Sequence, residues 1–206
     1  MAFSDKTIVI GGGIGGLTAA LALLMRGIDV ELYEQAPELK EVGAGLQTSS
    51  NGTRVLYALG LKEPLSSLQV TPSSRQMRHW KTGETWNWFD LGSTSLNRYG
   101  TPHIMMHRGD LQSVLADAVR QLKPDSIYLG MRCVAISQTD RQAEACFEGG
   151  TTVSGSYVIG ADGIHSKVRE SMFGQDRPTF VGCVAWRGLV PMEKLPTHIA
   201  KLVGIN

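Results

Sequence analysis

Four strand-forming residues, Thr7-Ile8-Val9-Ile10, run directly into a glycine cluster, Gly11-Gly12-Gly13-Ile14-Gly15-Gly16. A periodic apolar segment follows, with Leu17, Ala20, Leu21 and Leu24 on one helical face and Gly27 as a stop signal. Gly11, Gly13 and Gly16 fit G-x-G-x-x-G. A second strand, Asp29-Val30-Glu31-Leu32-Tyr33, ends at Glu34, 23 residues after Gly11, the spacing of an acid that accepts hydrogen bonds from an adenosine ribose. Each glycine has a distinct task in such a unit. Gly11 lets the chain turn off the strand, Gly13 lets a pyrophosphate approach the backbone, and Gly16 lets the helix lie close to the sheet. Free N–H groups and the positive end of the helix dipole then face the phosphates. The strand before, the helix after and the acid at the next strand end all agree, which favours dinucleotide binding over a tight turn with no ligand.

The 206 residues suffice for one large domain, or one domain and part of another, and 42% hydrophobic content supports a packed core. A net charge of +1 gives no reason to expect nucleic acid or an anionic membrane as partner. No apolar run reaches spanning length and no signal peptide precedes the first strand, so stable membrane insertion is not expected and a cytoplasmic location is. Cys133, Cys146 and Cys183 are widely spaced and show no metal or redox pairing; they read as buried thiols in a reducing compartment.

Beyond the first unit, Val42-Gly43-Ala44-Gly45-Leu46 holds a second glycine pair, open between a cofactor-facing loop and a plain turn. Asn51 to Leu61 reads as a short helix with Asn51 as N-cap. Ser73–Trp80 and Glu84–Leu91 read as a β-hairpin turning at Lys81-Thr82-Gly83. Trp80, Trp86 and Trp88 lie there, and core packing is the safer expectation over an aromatic pocket or a subunit contact. A loop to Pro102 leads to a strand at Ile104-Met105-Met106. His107-Arg108-Gly109-Asp110-Leu111 then opens a helix whose apolar face is Leu111, Val114, Leu115, Ala118, Val119 and Leu122. Arg108 sits at a strand-to-helix junction, where α/β folds place ligands; the alternative is a surface arginine paired with an acid. His107 reads as structural, with no acid or nucleophile beside it. After a strand at Ser126–Leu129 come three antiparallel segments, 132–138, 143–147 and 151–154. The strand Tyr157-Val158-Ile159 delivers Gly160-Ala161-Asp162-Gly163-Ile164-His165-Ser166, with a helix starting at about Ser166. Asp162 either accepts hydrogen bonds from a ligand at that edge or closes an Asx turn. From Arg177 the chain turns β-like again, at 179–182 and 185–190.

Taken together, the glycine cluster with Glu34-Gln35-Ala36-Pro37, Gly43-Ala44-Gly45, His107-Arg108-Gly109-Asp110-Leu111 and Gly160-Ala161-Asp162-Gly163-Ile164-His165-Ser166 through Val168-Arg169 resemble the group A FAD-dependent aromatic monooxygenases. The salicylate hydroxylase, 3-hydroxybenzoate 6-hydroxylase and 6-hydroxynicotinate monooxygenase branch is the nearest in pattern. The resemblance implies an α/β fold: a Rossmann-like FAD-binding domain with an antiparallel β-meander, plus part of a β-sheet substrate domain. It divides the chain into FAD-binding segments at 1–72 and 106–176, a substrate-domain hairpin at 73–105 and the start of a substrate sheet at 177–206.

The cofactors implied are FAD, with NADH or NADPH as co-substrate. The reaction implied is O2-dependent hydroxylation of a small aromatic acid through a flavin C4a-hydroperoxide. Gly11, Gly13, Ile14, Gly15 and Gly16 would face the pyrophosphate, and Glu34 with Gln35 the adenosine. Gly45 would lie near the ribityl chain, Arg108 on the ribityl or phosphate side, and the backbone at Val134 near the adenine. Asp162 belongs to the motif bridging FAD and the nicotinamide nucleotide. Family chains typically run twice this length, so the chain is expected to end inside the substrate domain. Where the hydroxynicotinate branch has a histidine, this sequence has Gln47, and no catalytic acid or base is named. Another FAD-dependent oxidoreductase, an inactive truncated fragment and a homodimer all stay open.

Overall fold

The computed structural model describes residues 6–39, 45–175, 177–184 and 190–197, apart from the side chains of residues 87–89 and 192. In chain order the elements are β1 (Thr7–Ile10), α1 (Ile14–Leu24), β2 (Val30–Tyr33), β3 (Gly45–Thr48), α2 (Ser50–Ala58) and α3 (Lys62–Ser66). Next come β4 (Ser74–Arg78), β5 (Thr85–Asp90), α4 (Ser93–Tyr99), β6 (Ile104–His107), α5 (Arg108–Leu122) and β7 (Ile127–Tyr128). The last are β8 (Cys133–Gln138), β9 (Ala143–Phe147), β10 (Thr152–Gly155), β11 (Tyr157–Gly160) and α6 (Lys167–Phe173). The chain divides into two compact units, Met1–Lys40 with Gln112–Ala185 and Glu41–Leu111 with Trp186–Asn206.

The first unit is built on a parallel sheet of order β11-β1-β2-β7. β1 pairs with both β11 and β2, Ile10 standing opposite Gly160 and Tyr33. A central parallel strand is covered on both faces, so Thr7–Ile10 is buried throughout, as its apolar run dictates. α1 returns the chain and buries Leu17, Ala20 and Leu21. Gly27, at φ +75°, ends that turn in the left-handed region. The ring of Tyr33 stacks on Tyr128 at 4.8 Å and 12°, with Phe147 on its other contact at 4.8 Å. Phe147 comes from a three-stranded antiparallel sheet, β10-β9-β8, in which Ala143, Ala145 and Phe147 of β9 are buried alternately. Burying a Phe147-sized side chain contributes roughly 1.5–3 kcal/mol. This packing fixes the C-terminal ends of β1 and β2 against the meander.

The buried face of α5 is Leu111, Gln112, Leu115, Ala116 and Val119, while Leu122 is 52% exposed. The apolar face therefore lies one position round from that expected, and a polar residue sits within it.

In the second unit β3 and β6 pair antiparallel, Gly45 opposite His107 and Thr48 opposite Ile104. The expected helix after the glycine pair is α2, but its N-cap is Ser49, not Asn51. Of two short helices, α4 stands where a loop to Pro102 was expected, and α3 follows α2 where no element was assigned. α3 tolerates Pro64 because it falls in the first turns, and α4 ends on Gly100 at φ +74°. The expected hairpin is β4–β5, whose register slips between Arg75 and Gln76, opposite Phe89 and Asn87, so that Trp88 falls at the irregularity. Core packing fails for Trp80, 83% exposed, and Trp86, 48% exposed. Every residue of β4 is exposed, so these rings stand on an uncovered two-stranded ribbon.

Residues 179–182 form no strand, and Phe180 and Val181 are exposed. The expected strand 185–190, but for Val190, and Gly43 and Ala44 of the second glycine motif lie outside the described residues. Of the three thiols only Cys133 is buried; Cys183 is exposed. Among the described residues no helix is long and apolar enough to cross a membrane.

Candidate functional site

The turn from β1 to α1 divides its glycines by what surrounds them. Gly11 has φ +110°, and a Cβ there would meet the Ala161 backbone and Asp162 N at 2.9 Å. A Cβ on Gly16 would overlap the Gly11 carbonyl oxygen and reach the Ala161 Cβ at 3.3 Å. Both are therefore required by the fold. Gly13 and Gly15 differ: a Cβ on either would meet nothing within 4 Å. Gly13, with ordinary extended backbone, is the N-cap of α1 and provides no side-chain cap. The first-turn N–H groups of Ile14, Gly15 and Gly16 have no intrahelical acceptor, and no acidic side chain stands in that turn. Open space, free donors and a positive dipole end coincide, which suits an anionic ligand.

Glu34 follows β2 directly. Its Oε2 accepts from Gly12 N at 2.6 Å and its Oε1 from Ala36 N at 2.8 Å. Lone pairs remain on both oxygens for further donors such as sugar hydroxyls. Gln35 is exposed beside it. From the far side, the Gln112 side chain donates through Nε2 to the Gly12 carbonyl oxygen at 2.9 Å, and Gln112 is 5% exposed. Sequence reasoning missed Gln112; the signal was a glutamine at helical spacing within an apolar face.

On β8, Cys133 pairs with Phe147 and Ala135 with Cys146, so Val134 is the extra residue of a β-bulge, with its side chain 44% exposed. A bulged residue withdraws its peptide from the regular ladder.

At the end of β11 the pattern looks similar but the donors are used. The Asp162 Oδ1 accepts from Ser166 Oγ at 2.6 Å, and Oδ2 from Lys167 N at 2.6 Å and Val168 N at 3.2 Å. Ser166, the N-cap of α6, accepts from Arg169 N at 2.9 Å. A Cβ on Gly160 would press on Val168 Cβ at 2.7 Å, so this glycine seats α6 on the sheet. The Asp162 carboxylate forms no Asx turn; it serves the first N–H groups of α6 instead. Burial, and secondarily the Asp162 carboxylate, push the Cys133 thiol up to about 11. Beside α6 a cavity of about 320 Å³ is lined by basic groups that include His165, Lys167, Arg169 and Arg177.

In the second unit Gly45 opens β3 and Arg108 opens α5. His107 Nδ1 accepts from Gly109 N at 3.2 Å and lies 4.0 Å from an Asp110 oxygen, so an acid does stand near it. These contacts serve the first turn of α5, in keeping with a structural histidine. A second cavity, about 600 Å³, is lined by residues of α2 and α4 and by His103, whose Nε2 is buried without a hydrogen-bond partner among the described residues.

The sequence family described as FAD binding domain matches residues 5–200. A 3-amino-4-hydroxybenzoate 2-monooxygenase of Streptomyces cremeus is 38% identical over 93% of this chain and 48% of its own length. A 6-hydroxynicotinate 3-monooxygenase of Pseudomonas fluorescens is 33% identical over 95% of this chain and 50% of its own. The crystal structure of Klebsiella pneumoniae HpxO complexed with FAD and uric acid superposes with a TM-score of 0.67 at 33% identity, covering 80% of this chain and 41% of that one. The chain thus spans about half the length of the curated relatives it matches. By the extent of that match, and with the glycine turn and its acid in the positions described, the chain belongs to the FAD binding domain family.

Proposed function

We propose that this chain carries the FAD-binding part of a flavoprotein monooxygenase that uses NADH or NADPH and O2 to hydroxylate a small aromatic acid. The relatives named above act on ring acids of that kind. The observation that carries the cofactor assignment is the β1–α1 turn: unclaimed first-turn donors beside two glycines whose Cβ positions are open. Gly13, Ile14, Gly15 and Gly16 would hold the diphosphate by backbone N–H, with Gly11 shaping the turn. Glu34 and Gln35 would take the adenosine sugar, and the bulged backbone at Val134 the adenine. Gly45 and Arg108 are assigned to the ribityl side, and the Asp162 segment to the nicotinamide nucleotide, Asp162 acting by shaping the backbone there. When bound, the flavin supplies the redox and oxygen chemistry; the chain's own task is to bind and orient it.

The same reading assigns 1–72 and 106–176 to flavin binding and 73–105 with 177–206 to the substrate side. It also places the protein in the cytoplasm. Pairing of two copies belongs to it as well, supported by the exposed Trp80 and Trp86 of the hairpin and the exposed Tyr157 on the edge strand.

The test is a flavin titration. The chain is expected to quench FAD fluorescence at one equivalent, and Gly13→Val to abolish that without moving the unfolding midpoint. A folded chain that leaves FAD fluorescence unchanged removes the assignment. For the hydroxylase activity the readout is NADH consumption on adding a hydroxybenzoate; no response to any aromatic acid removes the substrate class.

A further inference from the structure

We infer that Gln112 is a positioning residue for the flavin diphosphate, acting through the Gly12 peptide; this rests on the flavin site proposed above. Gly12 is a variable position in G-x-G-x-x-G, yet both of its backbone polar groups are taken by side chains. Its N–H is taken by Glu34 Oε2 at 2.6 Å and its carbonyl by Gln112 Nε2 at 2.9 Å. A Cβ on Gly12 would stand 3.0 Å from both Glu34 Cβ and Leu39 Cδ2. The turn is thus gripped from the end of β2 and from α5 at once.

The consequence follows from peptide geometry. The Gly12 carbonyl and the Gly13 N–H belong to one planar trans peptide, and no cis peptide is present among the described residues. The two groups point in opposite directions. By holding the carbonyl, Gln112 turns the Gly13 N–H away from α5, outward from the fold. Gly13 is the N-cap of α1 and its Cβ position is open, so that N–H joins the donors of the first helical turn. Glu34 sets the preceding peptide in the same manner. A loop whose peptides are already oriented loses less freedom when an anion arrives.

Packing alone does not call for this side chain. The rest of the buried face of α5, Leu111, Leu115, Ala116 and Val119, is apolar, and a leucine would fill the slot as well. What a leucine lacks is a donor for a carbonyl that is otherwise left without one in a buried setting.

Two variants and two readouts test the inference. Gln112→Leu is expected to weaken FAD binding about tenfold at every pH, the scale of one lost buried hydrogen bond. Gln112→Glu keeps the shape but can donate only when protonated. Its affinity is expected to match the parent chain near pH 5 and to fall by about tenfold or more by pH 8, while the parent stays flat. Glu34, which holds the N–H of the same Gly12, is an acid that opposes ionisation of the new carboxyl. A role confined to stability would lower the unfolding midpoint of both variants and leave FAD affinity and its pH profile unmoved, which overturns the inference. The second readout needs no flavin. Amide exchange at Gly12, whose N–H is held by Glu34, is expected to speed up about tenfold in the unliganded Gln112→Leu chain. Unchanged exchange overturns the clamp even if FAD binds. Absence of FAD binding in the parent with altered exchange in the variant overturns the flavin site alone.

Discussion

Two strand ends of the first unit follow the same plan and finish differently. Both β1, a buried central strand, and β11, a partly exposed edge strand where a buried one was expected, lie parallel and run into glycine and then into a helix. At the end of β11, Asp162 and Ser166 occupy the first N–H groups of α6 with their own side chains. At the end of β1 the acid arrives from the neighbouring strand and takes Gly12 N, leaving the first turn of α1 uncapped. The difference teaches that a glycine-rich strand–helix junction is a binding site only where its donors are left over. One junction is capped by its own side chains and the other leaves its first-turn donors uncapped.

That contrast can be broken at several points. The largest effect is expected from Gly16→Ala, whose Cβ would overlap the Gly11 carbonyl, a backbone atom that cannot swing aside. A loss of about 3 kcal/mol or more in urea unfolding is expected, against about 0.5 kcal/mol or less for Gly13→Ala. If both glycines cost the same, the division between fold glycines and ligand glycines is lost. Next, Asp162→Ala removes the α6 cap and should cost about 1–2 kcal/mol. Unchanged stability together with lost flavin binding would make Asp162 a ligand group and erase the contrast. Smallest is the effect on Cys133. Because the Asp162 carboxylate raises that thiol, Asp162→Asn should speed its labelling on the order of twofold, with burial still keeping it far slower than exposed Cys183. Mass spectrometry of labelled peptides reads both rates; a faster Cys133 than Cys183 would show the core opened instead.

Much of this was legible in the sequence because glycine and strand patterns are local. The β1–α1 turn, Glu34 at the end of β2, the meander and the start of α6 follow from spacing alone. α4 escaped because Ser93–Tyr99 is short and has little apolar periodicity, its stop being the only strong signal. The tryptophans misled because burial depends on a covering layer that the hairpin does not bring with it. Gln112 showed only as a glutamine among apolar residues, because its partner is a carbonyl 100 positions away in the chain. Asp162 could be read two ways until the donors it accepts from were seen.

The crowding around Gly12 also bears on how such a turn can diverge. A selection for folding alone would let Gly13 and Gly15 drift freely, hold Gly12 to the smallest side chains, and forbid change at Gly11 and Gly16. A selection for the bound nucleotide would reverse the rank of Gly13 while leaving the other four in place. Aligned descendants that had lost their ligand but kept their shape would carry that reversal as a signature at a single column.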